Sequence, residues 1–198
     1  MRIISGLAGG TVLKSRPGLS VRPTADRVKG ALFASLGDLR GWRVADLFAG
    51  TGALGLEACS RGAATVLLVE RDAQALRCIR ENIERVTHAI GGAATPDIRV
   101  LPLDVARVAE RAAEFKASLD LILADPPYST APRECGAATL LRDAAFAAWA
   151  GGALLVLEHE VHTELPWAPQ SPWRLVRQRR FGATVLSFAR LDVGTPSP

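Results

Sequence analysis

The chain has 198 residues, 48% of them hydrophobic, which is enough for one sizeable α/β domain with a small appendage. No apolar run approaches the ~20 residues that a membrane-spanning helix needs, and the first residues do not resemble a signal peptide, so we expect a cytoplasmic protein. Cys59, Cys78 and Cys135 are odd in number and widely spaced, which indicates buried thiols and neither a disulfide framework nor a metal site.

Positive charge is concentrated near the N-terminus. The net charge is +4, but the segment through Arg43 holds eight Lys or Arg and two Asp and stands at +6, which leaves the other 155 residues at −2. A basic segment on a slightly acidic body is typical of proteins that contact a phosphate backbone, although a solvated charged face would explain the charge equally well. The candidate contacts to nucleic-acid phosphates are Arg16, Arg22, Arg27 and Lys29.

The N-terminal segment is predicted to form a hairpin followed by one amphipathic helix. Short β-prone runs at 2–5 and 11–14 flank Gly9-Gly10, as in a hairpin. Pro23 ends the stretch that follows, Thr24 is a suitable N-cap, and apolar residues then recur at helical spacing. This helix is expected to cover one edge of a sheet, beside the basic residues.

Beyond this helix, strand-like and helix-like segments alternate, which predicts a mainly parallel, doubly wound α/β sheet. The last two strand-like segments flank Phe181-Gly182 and predict a closing hairpin with an antiparallel C-terminal strand. The predicted strands are 43–48, 65–69, 98–103, 119–124, 153–157, 173–179 and 184–190. Four helices are predicted between these strands. The first ends near residue 61, and the others span 72–86, 105–116 and 133–149, with Asp72 as the cap of the second.

We expect three parts in this chain. Residues 1–40 form the hairpin and helix, packed on the core as a basic arm, and 41–193 form the Rossmann-like domain. Residues 194–198 are rich in Gly, Pro and Ser and are expected to be a frayed tail.

A glycine-rich stretch follows the first predicted strand. Its pattern, Gly50-x-Gly52-x-x-Gly55, matches the dinucleotide-binding fingerprint, and Glu70 lies about 20 residues further on, where an acidic residue binds ribose. A nicotinamide-dependent dehydrogenase is therefore one interpretation. Asp46 favours S-adenosylmethionine instead, because a carboxylate at this strand end suits a ligand with an ammonium group and would repel a pyrophosphate.

Asp104 points to the same cofactor. It ends the third predicted strand, where its carboxylate can accept a hydrogen bond from an adenine amino group. The residues assigned to S-adenosylmethionine are Asp46, Phe48, Gly50, Thr51, Gly52, Glu70 and Asp104.

The stretch Asp125-Pro126-Pro127-Tyr128 follows four apolar residues. Proline lacks a backbone donor and ends a strand, so this stretch is expected at the carboxyl edge of the sheet, where ligands bind in open α/β folds. The Asp125 carboxylate and the Pro126 carbonyl can accept both N–H bonds of an exocyclic amine on a nucleobase and turn its lone pair toward a methyl donor. Tyr128 offers a face on which the base can stack. The alternative is a rigid structural turn. The predicted catalytic residues are Asp125, Pro126 and Tyr128.

These motifs resemble the RsmD family of bacterial methyltransferases, which modify N2 of a guanine in 16S rRNA. The resemblance rests on residues 2–6, 22–29, 46–57 and 123–128. It implies a Rossmann-like enzyme that uses S-adenosylmethionine and acts on an exposed small-subunit rRNA base within a ribosomal particle. We further expect a monomer that contacts no membrane.

Two other functions remain open at this point. An adenine-N6 DNA or RNA methyltransferase could use the same Asp125 to Tyr128 stretch, and a non-catalytic RNA-binding assembly factor could have the same fold. Residues 159–162, His-Glu-Val-His, lack the spacing of a zincin helix and are predicted to be a solvated strand-to-loop stretch. A second basic cluster in the closing hairpin fits either an RNA contact or an exposed surface. It comprises Arg174, Arg177, Arg179 and Arg180.

Overall fold

The computed structural model describes residues 1–15, 23–92, 95–127 and 135–192, and the side chains of 23–25 lie outside this description. The chain divides into two compact units, Met1–Val105 and Ala106–Pro198. The three-part division at residues 40 and 193 stays a prediction. No helix in the described ranges is long and apolar enough to cross a membrane.

The first unit is built on three parallel strands. These are β1 (Arg43–Leu47), β2 (Thr65–Glu70) and β3 (Asp97–Pro102), in the order β3-β2-β1. Val44 to Leu47 and Val66 to Val69 are buried without interruption, as expected of parallel strands that are covered on both faces. The helices of this unit are α1 (Pro23–Leu36), α2 (Ala53–Ser60) and α3 (Ala73–Ile90).

The first unit follows the predicted order of elements with local differences. The N-terminal hairpin contains a single antiparallel bridge, between Arg2 and Val12, where two strands were expected. Helix α1 begins at Pro23, which is pre-organised for a first helical position, so Thr24 is not its N-cap. Asp72 caps α3 as predicted, since its carboxylate accepts from the backbone N–H groups of Gln74 and Ala75. The helix then continues four residues beyond the predicted end, to Ile90.

The second unit contains four strands in the order β4-β5-β7-β6. They are β4 (Leu121–Ala124), β5 (Leu154–Glu160), β6 (Trp173–Phe181) and β7 (Thr184–Leu191). β4 and β5 are parallel, whereas β7 is antiparallel to both of its neighbours, β5 and β6. The antiparallel C-terminal strand is therefore confirmed. The helices of this unit are α4 (Val108–Arg111), α5 (Ala137–Arg142) and α6 (Ala144–Ala150).

Two segments predicted as single helices are interrupted. Within 105–116, the four-residue α4 lies between 3-10 turns, and the Ala112 carbonyl accepts a hydrogen bond from the Trp149 indole at 2.7 Å. The same carbonyl also accepts from the Phe115 backbone N–H at 3.0 Å, within the second 3-10 turn. Between α5 and α6, the Asp143 carboxylate accepts from the backbone N–H groups of Ala145 and Phe146. A side chain that caps the next helix competes with continuation of the previous one.

An aromatic cluster forms part of the core of the second unit. Phe146 lies 6.0 Å from Trp149 and 5.7 Å from Trp173 between ring centroids, and all three side chains are buried. Strand β5 runs past its predicted end and includes His159. His159 is only 4% exposed, so the prediction of a solvated stretch over 159–162 is wrong at this residue, whereas Glu160 and His162 are exposed where the strand ends.

Candidate active site

The glycine-rich loop joins β1 to α2 through residues with positive φ. Phe48 has φ +60°, Gly50 +57° and Gly52 +79°. A bulky residue such as Phe48 in this conformation costs on the order of 1–3 kcal/mol and is typical of functional sites. At Gly50 an added Cβ would meet nothing nearer than the Phe48 carbonyl at 3.9 Å. The loop therefore leaves open space over its backbone, which a ligand can approach.

Gly55, the third glycine of the pattern, has a packing role. An added Cβ would collide with the Leu68 side chain and lie 3.0 Å from Val66 Cγ1, both on β2. Only glycine allows α2 to approach β2 this closely, as in dinucleotide-binding folds.

The buried side chain of Asp46 forms a hydrogen bond with the first turn of α2. It is 1% exposed, and its Oδ2 accepts from the Gly55 backbone N–H at 2.7 Å. Burial raises the pKa of Asp46 from 3.8 to about 7, while the Gly55 hydrogen bond acts in the opposite direction. The carboxylate thus orients the glycine loop, and a direct contact with a ligand's ammonium group stays a prediction.

Glu70 closes β2 and holds the other side of the loop. Its Oε2 accepts from the Gly50 backbone N–H at 2.7 Å, and its Oε1 accepts from the N–H groups of Arg71 and Asp72 at 2.8 Å. Asp104 follows β3 and forms an ion pair with Arg71 at 2.8 Å. Because parallel strands end at the same edge, the loop, Glu70 and Asp104 lie together at the carboxyl edge of the first unit's sheet.

This edge fits S-adenosylmethionine. The open backbone over Gly50 can receive a ligand, and the carboxylates of Glu70 and Asp104 are acceptors suited to ribose hydroxyls and an adenine amino group. Phe48, Thr51 and Gly52 belong to the same loop, so the structure brings all the residues assigned to the cofactor to one edge.

Sequence reasoning missed one residue that supports this loop, Asn82 on α3. Its side-chain N–H groups donate to the carbonyls of Thr51 and Lys14, at 2.9 and 3.0 Å, and its Oδ1 accepts from the Lys14 N–H at 2.7 Å. Asn82 is fully buried and lies at helical spacing between the buried Ile79 and Val86. A polar residue on the apolar stripe of a helix was the available signal.

The predicted catalytic stretch follows β4. All four residues of β4 are buried, Asp125 is exposed at the end of the strand, and Pro126 is buried. Ala124 pairs with Leu157 in the parallel ladder with β5, so Asp125 stands at the carboxyl end of this pair as predicted. Tyr128 lies outside the described residues.

A cleft of about 130 Å³ adjoins this stretch within the second unit. Its walls include Pro126, Pro127, Glu158, His159 and Thr163, together with small residues at the start of α5. Both ring nitrogens of His159 are engaged, Nδ1 with the Glu160 carbonyl and Nε2 with the Ser187 hydroxyl, each at 2.8 Å. Burial lowers the pKa of His159, which keeps the ring neutral at physiological pH. The neutral His159 ring therefore forms part of the wall of the cleft.

The structure corrects one of the four predicted phosphate contacts. Lys29 is 4% exposed, donates to the Arg2 carbonyl at 2.5 Å and pairs with Glu57 at 3.4 Å. Burial lowers the pKa of Lys29. Its ammonium group is used inside the protein, so the assignment of Lys29 to RNA is wrong. Arg27 is exposed on α1, whereas Arg16 and Arg22 lie outside the described residues.

The second basic cluster lies on β6, and its four arginines are exposed. The Arg177 guanidinium lies 4.1 Å from the centroid of the Phe188 ring, and Arg174 approaches Asp192 at 3.9 Å. Among the described residues, no group of three or more His, Cys, Asp and Glu is placed to hold a metal ion.

Comparisons with known proteins extend over almost the whole chain. The model of the family described as Conserved hypothetical protein 95 matches residues 1–190. Ribosomal RNA small subunit methyltransferase D of Escherichia coli (strain K12) is 32% identical over 183 residues, which cover 92% of this chain and 85% of that protein.

Solved structures agree on the fold. A hypothetical protein of Thermus thermophilus has a TM-score of 0.74 and 31% identity, and the match covers 96% of this chain and 99% of that one. The ribosomal protein L11 methylase of Lactobacillus delbrueckii subsp. bulgaricus has a TM-score of 0.62 at 17% identity, covering 90% of this chain and 84% of that one. The predicted Rossmann-like methyltransferase fold is confirmed. On the family match and the identity to small subunit methyltransferase D, this chain belongs to the RsmD family.

Proposed function

We propose that this protein is an S-adenosylmethionine-dependent methyltransferase that modifies the exocyclic N2 amine of a guanine in 16S rRNA. The observation that carries the proposal is the Asp125-Pro126 stretch, which places an exposed carboxylate at the carboxyl end of a buried strand. The family relative in Escherichia coli is named as a methyltransferase of small-subunit rRNA, which supports the same substrate class.

The cofactor is assigned to the edge of the first unit. S-adenosylmethionine supplies an electrophilic methyl group on a positively charged sulfur. Gly50 and Gly52 would let the loop backbone approach it, Glu70 would accept from its ribose hydroxyls, and Asp104 would accept from its adenine amino group. The negative charge of ionised Asp46 favours a ligand that carries cationic groups.

The acceptor amine is assigned to Asp125 and Pro126. An amine conjugated with a purine ring is a poor nucleophile, because its lone pair is delocalised into the ring. When the Asp125 carboxylate and the Pro126 carbonyl accept its two N–H bonds, they hold the nitrogen in a pyramidal geometry, which localises the lone pair on nitrogen and makes it available. As the methyl group passes to nitrogen, the methyl–sulfur bond would break and leave its electron pair on a neutral thioether. The methylated nitrogen is then cationic and acidic, and one proton leaves to Asp125 or to solvent. Holding the reacting groups in a fixed orientation can lower the activation free energy by up to about 7–11 kcal/mol.

The base has to leave its stack before it can reach Asp125. Splaying a nucleotide out of folded RNA costs a few kcal/mol, and stacking on Tyr128 would return about 1–3 kcal/mol. Arg16, Arg22 and Arg27 are proposed to hold the rRNA phosphates, within a small-subunit particle and with the protein as a monomer.

A methylation assay tests this function. Small-subunit particles from cells that lack this protein are incubated with the purified enzyme and labelled S-adenosylmethionine, and the labelled nucleoside is identified by mass spectrometry. We expect N2-methylguanosine. Asp125→Ala should reduce the rate at least about 10²-fold with little change in cofactor affinity, because the lost contacts matter most in the transition state. Asp125→Asn retains one acceptor oxygen and should lose less.

Each other outcome of the assay has a definite meaning. Labelled N6-methyladenosine would replace guanine by adenine as the target, and an unchanged rate for Asp125→Ala would make the stretch a structural turn. If no label enters rRNA although the enzyme binds S-adenosylmethionine, the rRNA substrate is wrong.

A further inference from the structure

The cleft beside Pro126 contains an acidic side chain that the proposed mechanism does not use, Glu158. Glu158 is half-buried on β5 and lines the cleft together with both prolines of the catalytic stretch. The other polar side chains among the described wall residues are His159 and Thr163. A carboxylate has two oxygens that can accept several hydrogen bonds at once, so Glu158 can accept from a bound base in addition to its contacts within the protein. Both ring nitrogens of His159, in contrast, already bond to Glu160 and Ser187.

The register of the sheet places Glu158 next to Asp125. Ala124, the last residue of β4, pairs with Leu157 of β5, and Asp125 and Glu158 are the residues that follow this pair in the two segments. Neighbouring strands lie about 4.8 Å apart, so the two carboxylates start from adjacent backbone positions at the same edge. The Pro126 carbonyl follows directly after Asp125.

A guanine presents two donors that match this pair of carboxylates. Its N2 amine and its N1–H are adjacent on the Watson–Crick edge, the edge that proteins read on splayed RNA bases. An ionised carboxylate can only accept hydrogen bonds. If the Asp125 carboxylate and the Pro126 carbonyl accept from the N2 amine, Glu158 is the neighbouring acceptor for N1–H. Adenine has an unprotonated N1, which would face a carboxylate as a second acceptor and be repelled.

We infer that Glu158 is a specificity-determining residue that accepts the N1–H of the target guanine and excludes adenine. This inference rests on the proposed function, since it assumes that the N2 amine is the methyl acceptor. In this assignment Glu158 selects the base, whereas Asp125 and the Pro126 carbonyl activate the amine.

The test uses 2-aminopurine, which keeps the exocyclic amine at C2 but has an unprotonated N1. Small-subunit particles are reconstituted with 16S rRNA that carries guanine or 2-aminopurine at the mapped target, and kcat/KM is measured for each. The wild type should prefer guanine by at least about 10-fold. The Glu158 carboxylate accepts from N1–H of guanine, but it would face the unprotonated N1 of 2-aminopurine without a hydrogen bond. In Glu158→Gln the amide N–H can donate to N1 of 2-aminopurine, so the preference should fall to about one or reverse.

A purely structural role for Glu158 predicts a different result, namely that both kcat/KM values fall together and their ratio stays constant. Glu160→Gln is the matched control, since this exposed glutamate is two residues away on the same strand and should keep the wild-type ratio. If Glu158→Gln does not fold, Glu158→Ala serves, because loss of the acceptor should also bring the ratio to about one.

The failures of the two proposals can be told apart. A wild-type enzyme that methylates guanine, together with a Glu158 variant that keeps the wild-type ratio, overturns the inference and leaves the proposed function intact. A wild-type enzyme that methylates N2 of neither base overturns both.

Discussion

Asp46 is enclosed by the protein at the point where the glycine loop enters α2. Burial raises its pKa from 3.8 to about 7, so between these values the folded chain binds a proton that the unfolded chain has released. The stability that comes from the neutral carboxyl is complete below about pH 4 and is lost as the pH rises through about 7. Ionisation of Asp46 therefore destabilises the free protein, and a bound cationic ligand would offset this loss.

Asp46→Asn tests this assignment in the free protein. Asparagine is neutral at every pH and keeps an acceptor for the Gly55 N–H. The free energy of unfolding of the variant, minus that of the wild type, should rise from about pH 4 to about pH 7 and level off above, with a slope of at most about 1.4 kcal/mol per pH unit. Chemical denaturation measures this difference, and other titrating groups such as His159 cancel in it. A difference that does not change with pH would contradict the burial of an ionisable Asp46.

Arg27 and Lys29 show what residue patterns can and cannot predict. The two residues are close in sequence and in charge, but Arg27 is exposed and Lys29 is buried. Lys29 lies one helical turn before the fully buried Phe33, so helical spacing alone would have placed it on the inner face. Its partner Glu57 is distant in sequence, and no local pattern reveals such a pair. The acidic residues at strand ends were easier to predict because parallel strands share one ligand-binding edge.

At the scale of elements, a buried ionic network attaches the N-terminal hairpin to α2. Glu57 accepts from the backbone N–H groups of Ile4 and Ser5, at 2.7 and 3.1 Å, and it pairs with Lys29 and Arg61. Ser60 extends the contact by accepting from the Ala8 N–H and donating to the Ser5 carbonyl. The N-terminal stretch that resembles the RsmD family therefore has a structural role, since it is bonded to the helix that follows the glycine loop.

Glu57→Gln should destabilise the protein by about 3–5 kcal/mol, because it leaves the buried Lys29 ammonium without its charged partner. The double variant Glu57→Gln with Lys29→Met removes both charges and should recover much of this loss. Urea denaturation of the two single variants and the double variant gives the coupling free energy. Purely additive effects would mean that the ion pair does not hold the hairpin on α2.

Strands were predicted more accurately than helices, for a physical reason. β2 and β4 are continuous apolar runs that end at or just before an acidic residue, Glu70 and Asp125, and these signals are local. The helical segments of the second unit depend on bonds formed at a distance or on competing caps. The Ala112 carbonyl accepts from the distant Trp149 indole as well as from the nearby Phe115 N–H, and Asp143 caps α6 where a single helix was expected.

At the scale of the whole molecule, the basic N-terminal segment is proposed to hold rRNA phosphates through Arg16, Arg22 and Arg27. Neutralising Arg16 and Arg27 together should flatten the plot of log affinity for small-subunit particles against log salt by about 1.4–1.8, that is by 0.7–0.9 for each lost contact. Affinity for S-adenosylmethionine should not change. A salt titration of binding to these particles measures the slope.

The matched control neutralises Arg40 and Arg99, which pair with Asp38 and Asp97 in exposed positions. The same loss of net charge at these residues should leave the slope close to that of the wild type. If both double variants give equal slopes, the N-terminal segment is a solvated face, and the arginines of β6 become the better candidates for RNA contacts.

This protein is proposed to methylate N2 of a guanine in 16S rRNA in a reaction that requires Asp125. The most direct measurement is nucleoside mass spectrometry of 16S rRNA from a strain with the gene deleted, complemented with the wild type or with Asp125→Ala. We predict that one N2-methylguanosine is absent from the deletion strain, returns with the wild type and stays absent with the variant. An unchanged N2-methylguanosine content in the deletion strain would contradict the claim.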